Sequence, residues 1–225
     1  MKAETKNFTI FALMGFGWFV AAARTTSFVW LLIWAGVSCL VVASAYGGLG
    51  AGALGKRPNG SLAWWAIVLL LPYFVLTTLL WHTVRLMECQ QCCHEVAPGW
   101  WLGRRPLGND LPPHTSLVVD LTSEFAECHA VLHGREYISA PALDHSVPAE
   151  ECLEQIATAV DQASGSVYFH CAQGHGRSAM VVAALLVRRG DVADGDAAIR
   201  LLQTIRPGVR LTSSQCDWLD RVTAK

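Results

Sequence analysis

Residues 167–180 read VYFHCAQGHGRSAM and bring a thiol, a guanidinium and a hydroxyl together around two glycines. The apolar run Val167-Tyr168-Phe169 has strand character and delivers His170 and Cys171 to a loop holding Gly174 and Gly176. Arg177 and Ser178 follow, and the apolar run from Ala179 to Leu186 reads as a buried helix. A strand, a glycine loop and a helix N-terminus make an anion site, because loop N–H groups turn inward and the helix dipole adds positive potential there. A cysteine opening such a loop has its thiol pKa lowered, since each neighbour favours the thiolate. Arg177 can fold back and clamp two oxygens of a tetrahedral oxyanion with its planar fork. Ser178 can donate its hydroxyl proton to the sulfur, which helps the sulfur leave as well as attack. The backbone of Ala172, Gln173, Gly174, His175, Gly176 and Arg177 would line the anion. The chemistry these residues assemble is attack by a thiolate on a bound phosphate.

Breaking an ester this way needs a proton for the leaving oxygen. Asp144 is the candidate donor. It follows a strand, stands in the proline-bounded loop Ala140-Pro141-Ala142-Leu143-Asp144-His145-Ser146-Val147-Pro148, and precedes Cys171 by 27 residues. Asp120 is the rival, but its place at the end of an apolar strand suits a hydrogen-bonded structural carboxylate better. His145 and His175 flank the pocket and receive no catalytic part.

His170-Cys171, Gly174 and Arg177-Ser178 fit the HCxxGxxR[S/T] pattern, and the chain from about residue 98 to 222 resembles the dual-specificity branch of the cysteine-dependent protein tyrosine phosphatases. Trp100-Trp101-Leu102-Gly103 is similar to that family's "YLG" opening strand, and Val118-Val119-Asp120-Leu121-Thr122 with Glu124 to its "VVDLT-x-E" segment. Arg206-Pro207 through Gln215 is similar to its "RP…Q" segment, which reads as structural. The resemblance implies a phosphocysteine intermediate, no metal and no cofactor. It also implies that Asp144 is the general acid and that His170 shapes the loop by hydrogen bonding. Low-molecular-weight tyrosine phosphatases place the cysteine loop early and the acid late, the reverse of the order here. Rhodanese-like domains lack the upstream Asp loop.

The elements that must position these residues alternate. Strands are expected at 100–106, 117–122, within 135–142 and at 166–170, and helices at 149–162, 177–189, 194–204 and 213–222. Pro148 and the acidic pair Glu150-Glu151 are start signals for the first of these helices. The pattern argues an α/β domain, a mixed sheet flanked by helices.

An all-α transmembrane region is expected to precede it. Of 225 residues, 52% are hydrophobic and 16% charged, and the imbalance is local. Between Asn7 and Val84 the charged residues are Arg24, Lys56 and Arg57. Spans are expected at about 27–53 and 61–84, with Trp64, Trp65 and Trp81 as interfacial anchors. Pro72 is tolerated where neighbours satisfy the freed backbone. The stretch 7–23 is either a third span, with Gly15 and Gly17 on a packing face, or a signal peptide behind Lys2 and Lys6; three spans are favoured. The expected domains are therefore 1–85, membrane; 86–97, a Cys-rich linker; and 98–225, the phosphatase domain.

From Arg85 onward, 12 basic residues stand against 17 acidic ones, a net of −5, which excludes a nucleic-acid surface. In the linker, Cys89, Cys92, Cys93 and His94 could hold a metal or carry acyl chains. Seven of eight cysteines lie at or beyond Cys89, which favours a cytoplasmic catalytic domain. The positions of Lys2, Lys6, Lys56 and Arg57 speak against that orientation. The expected partners are the bilayer and a phosphorylated substrate. That substrate is a protein in the favoured reading, because the loop lacks lysines and the domain lacks a basic patch, and a phospholipid head group in the alternative. A catalytically silent phosphate-binding scaffold is a third reading, disfavoured because nucleophile, arginine and acid candidates are all intact.

Overall fold

The computed structural model describes residues 3–88, 90–108 and 110–224, so Lys2 and Cys89 of the arguments above lie outside the described residues. The chain divides into two compact units. The first comprises residues 3–57, 61–88 and 123–126; the second comprises 58–60, 90–122 and 127–224, among the described residues.

The first unit holds helices α1 (Ala3–Ala23), α2 (Val29–Ser44) and α3 (Trp64–Met87). A π turn at Ala45–Leu49 continues α2, so that three helical segments are long and apolar enough to cross a membrane. Small residues bring α1 and α2 close. A Cβ on Gly15 would lie 3.1 Å from the Gly36 carbonyl, and one on Gly36 would lie 3.2 Å from the Gly15 carbonyl. Gly17 faces open space instead and takes no part in this packing, contrary to the expectation.

Proline 72 shows how the apolar environment is satisfied. It has no N–H, so the carbonyl four residues earlier, Val68, has no helical partner. The Trp34 indole fills the gap, donating to the Val68 carbonyl at 3.0 Å and the Leu69 carbonyl at 3.1 Å. Trp81 is not an interfacial anchor. It is buried, with its ring 5.8 Å from Phe125 and the Arg85 guanidinium 5.4 Å from its centroid.

The second unit is a mixed α/β domain. Its strands are β1 (Cys93–Ala97), β2 (Trp100–Arg104), β3 (Thr115–Thr122), β4 (Glu136–Ala142) and β5 (Ser166–Cys171). They form one sheet in the order β1-β2-β5-β3-β4, antiparallel at β1/β2 and parallel elsewhere. The helices are α4 (His129–Leu132), α5 (Glu150–Gln162), α6 (Arg177–Arg189), α7 (Gly195–Ile205) and α8 (Ser213–Thr223). The segment read as a linker is a correction: residues 93–97 are a strand, because Val96 is buried and the backbone from Cys93 pairs with β2. Its signal was masked by the cysteines and by a length of only five residues.

Strand parity sorts the core. Leu117, Val119 and Leu121 of β3 and Val167, Phe169 and Cys171 of β5 join one large cluster with α6, whose residues from Arg177 to Val187 are all buried. Val118 and Tyr168 join a smaller cluster with Val131. Successive side chains of a strand point to opposite faces, and this alternation separates the jobs of His170 and Cys171. In an open parallel sheet, ligands bind beyond the carboxyl ends of the strands. Here β3, β4 and β5 end together there, at Thr122, Ala142 and Cys171.

Candidate active site

Cys171 ends the central strand, and its sulfur is buried at the foot of the following loop. The Gly174 amide and the Ser178 hydroxyl both donate to Sγ at 3.3 Å. Desolvation alone would raise the thiol pKa, but Arg177, the Ser178 hydroxyl and backbone, and the Gly174 amide outweigh it and lower the pKa. The surroundings therefore shift the balance towards the thiolate, the form that nucleophilic sulfur chemistry uses.

The loop's carbonyls are held from outside. Arg105 N donates to the Ala172 carbonyl at 3.2 Å, Arg206 Nη2 to Gln173 at 2.9 Å, Arg206 Nε to Gly174 at 3.1 Å and Arg210 N to His175 at 2.9 Å. In a planar trans peptide the next N–H points opposite the carbonyl. Four outward carbonyls thus aim the N–H groups of Gln173, Gly174, His175 and Gly176 inward, where the Gly174 amide already meets the sulfur. Gly176 caps α6 without a side chain, leaving the first turn of that helix to face the same spot. Gly174 cannot be another residue: its φ is +73°, and a Cβ would sit 2.3 Å from the Gly103 carbonyl.

Arg177 is buried and spans the carboxyl ends of β3 and β4. Its Nη1 donates to the Ala142 carbonyl at 2.9 Å and, less closely, to Leu121 at 3.5 Å, while Nη2 lies 3.5 Å from Asp144 Oδ1. Asp144 Oδ2 is 3.1 Å from His145 Nδ1, and His145 takes a left-handed φ of +65°. Desolvation would raise the Asp144 pKa, but the His145 hydrogen bond and the Arg177 charge outweigh it and hold the carboxyl at about 2. Nucleophile, guanidinium and carboxyl candidates thus converge, with Asp144 ionised and tied to Arg177.

His170 faces away from the sulfur. Nδ1 is 3.8 Å from Asp120 Oδ1 and Nε2 is 3.3 Å from Glu127 Oε2, all three residues being buried. Asp120 accepts from Thr122 N and Oγ1 and from Tyr137 Oη, each at 2.7 Å. Asp120, Glu127 and His170 are residue types that bind metal, with one donor atom of each within 4.8 Å of the others. The two ring nitrogens face different carboxyl groups, however, Asp120 on β3 and Glu127 in the loop after it, so the geometry suits an imidazole packed between two carboxyl groups better than one shared cation.

Of the cysteine motif, Cys93 and His94 lie in β1 and Cys92 just before it. The Cys92 sulfur lies 3.7 Å from Tyr168 Oη, burial and Cys92 push the Cys93 thiol up to about 11, and His94 Nδ1 meets Arg206 Nη1 at 3.1 Å. A guanidinium can only donate, so that His94 nitrogen is engaged as an acceptor. Arg206, Arg210, Arg105 and Gln90 escaped sequence reasoning as loop supports. The Arg206-Pro207 similarity was the one signal for any of them, and it names no partner.

A cysteine at the C-terminal end of a central parallel strand thus lies under a backbone cradle, suited to an anion, that opens a helix. Residues 115–191 match the family described as "Polymorphic toxin system, DSP-PTPase phosphatase". Among curated proteins the chain is 27% identical over 140 residues to the phosphatidylglycerophosphate phosphatase PTPMT1 of Arabidopsis thaliana, covering 52% of this chain and 40% of that one. The chain thus matches less than half the length of that relative. Among solved structures it is similar to Tk-PTP in its active form (TM-score 0.54, 22% identity, 60% of this chain and 97% of that one). It is also similar to PTPMT1 in complex with PI(5)P (0.53, 22%, 59% and 94%) and to a mouse putative dual specificity phosphatase with zinc tungstate (0.51, 21%, 60% and 89%). The second unit shares the fold of these dual-specificity-type phosphatase structures.

Proposed function

We propose that the chain is a membrane-anchored phosphomonoesterase that works through a phosphocysteine. The observation that carries the reading is Cys171 Sγ, its pKa lowered and its sulfur met by two donors at 3.3 Å beneath the inward amides of 173–176. The sulfur attacks phosphorus and forms the S–P bond as the P–O ester bond breaks. Arg177 and the loop amides take the charge on the non-bridging oxygens, where rigid donors stabilise it most. Asp144 gives its proton to the leaving oxygen. It then accepts one from the water that attacks phosphorus, cleaving S–P and releasing phosphate. Before this, the substrate dianion must take Arg177 from Asp144, which removes the cation that keeps the carboxyl ionised.

The substrate in this reading is a phosphomonoester on a lipid head group. Three helices able to cross a bilayer and the relative named for phosphatidylglycerophosphate support it. A phosphorylated protein, favoured by the loop's lack of lysines, is the alternative. The catalytic domain faces the reducing cytoplasm, where its thiolate survives. Phosphate release by the full chain in lipid nanodiscs, from a phosphatidylglycerophosphate and from phosphotyrosine and phosphoserine peptides, tests the reading. Turnover of the lipid alone supports it, turnover of peptides alone reassigns the substrate, and no turnover refutes it. Labelling of Cys128 in intact cells by an impermeant thiol reagent would overturn the orientation.

A further inference from the structure

The residues between the third apolar helix and the first strand do more than connect. Gln90 Oε1 pairs with His175 Nε2 at 2.9 Å, at the rim of the phosphate loop. Arg206, fully buried, donates through Nη1 to the Gln91 carbonyl and meets His94 Nδ1, both at 3.1 Å, while its Nε and Nη2 hold the loop carbonyls of Gly174 and Gln173. Arg104 N also bonds the Cys92 carbonyl at 3.0 Å, just before β2 yields to Arg105, which holds Ala172. A single guanidinium therefore ties residues 91 and 94 to two of the carbonyls whose outward turn aims the anion-binding amides.

We infer that residues 90–94 are a positioning strap for the phosphate loop, with His94 and Gln90 acting through Arg206 and His175 to set the thiolate and the anion cradle. The inference rests on the phosphatase reading above, and it gives a role to a stretch whose cysteines suggested metal binding or acylation. A planar fork with its acceptors on both sides is confined in orientation. If the His94 acceptor is lost, Arg206 keeps the Gln91, Gln173 and Gly174 carbonyls but is less confined, and the Gly174 amide is aimed less firmly at Sγ.

The test uses the full chain in nanodiscs and reads the Cys171 thiol directly, from the pH dependence of its alkylation by iodoacetamide in a variant whose other cysteines are serine. His94→Ala should raise the apparent thiol pKa and lower kcat/KM about tenfold, as loss of one hydrogen bond to a charged group allows. His94→Asn, which keeps an acceptor near the Nδ1 position, should restore both. A folded His94→Ala variant with an unchanged alkylation profile overturns the inference, as does failure of Asn to rescue. Should His94→Ala not fold, Gln90→Ala decides: a raised thiol pKa supports the strap and an unchanged one refutes it. The alkylation readout needs no substrate. A wild-type protein without phosphatase activity would therefore sink the function proposed above while still allowing the strap to be judged.

Discussion

Asp144→Asn separates a true general acid from a loop carboxylate. In the unliganded site the carboxyl is held at about 2 by His145 and Arg177, so at neutral pH it carries a proton in roughly one molecule in 10⁵. An acid that rarely holds its proton must be recharged by its substrate. A bound phosphate dianion does this twice over, by taking Arg177, 3.5 Å away, and by placing negative charge beside the carboxylate, which raises its pKa. The two kinetic parameters should then differ in pH dependence. kcat/KM reports the free protein and kcat the complex, so the alkaline limb of kcat should lie at clearly higher pH than any limb due to Asp144 in kcat/KM. Asparagine cannot donate a proton, and turnover of esters with high-pKa leaving groups should fall by roughly 10²–10⁴, about 3–5 kcal/mol of barrier. An activated aryl phosphate should lose far less. Because Asn also releases Arg177 from a negative partner, inhibition by inorganic phosphate should strengthen rather than weaken. Steady-state kinetics across pH on one alkyl and one aryl ester, with phosphate inhibition constants, measure all three. Equal losses on both esters, with an unchanged profile shape, would refute the acid role and return attention to Asp120.

Cys171→Ser should abolish turnover and leave binding of the phosphate ester largely intact, which equilibrium binding to a labelled ester checks; residual turnover would sink the covalent mechanism. Arg177→Lys should cost roughly 10²-fold or more in kcat/KM, because one ammonium cannot span the acceptors that the fork reaches. Gly174→Ala should lower both thermal stability and activity. Its left-handed φ costs about 1–2 kcal/mol in any residue with a Cβ, and the clash with Gly103 adds to this unless β2 and the loop separate. Trp34→Phe keeps the bulk but orphans the Val68 carbonyl, which Pro72 leaves without a helical donor. Unfolding in mixed micelles should show a loss of roughly 0.6–2 kcal/mol, the range for hydrogen bonds between membrane helices.

What could be read from the chain follows from how local each signal is. The thiolate loop is written in nine consecutive residues from His170 to Ser178, and the strand before and helix after carry their own apolar periods, so loop, strand and helix were all legible. The three apolar helices were legible for the same reason, since length and absence of charge suffice. The β1 strand and its attachments were not. Its register depends on β2, its value to the site depends on Arg206, 112 residues beyond His94, and neither dependence leaves a pattern in residues 90–97. The cysteines there pointed toward metal or lipid because their type is conspicuous, whereas Gln90 meets His175 of the loop and His94 meets Arg206, which holds it.

The pairing of His170 with Cys171 has a geometric rationale that strand parity supplies. Two adjacent residues at the end of a strand must face opposite sides of the sheet. If Cys171 is to meet Ser178 at the start of α6, its predecessor is committed to the other face, and there β3 places Asp120 in register with it. A buried apolar residue at 170 would leave the buried Glu127 and Asp120 carboxyl groups without the imidazole that lies between them. The histidine thus does not need to touch the reaction to matter to it. It seats the last residue before the nucleophile between Asp120 of β3 and Glu127, while Arg206 holds the loop after the nucleophile. The sulfur is held between two braces on opposite faces of the sheet, and each brace draws on segments far away in the chain.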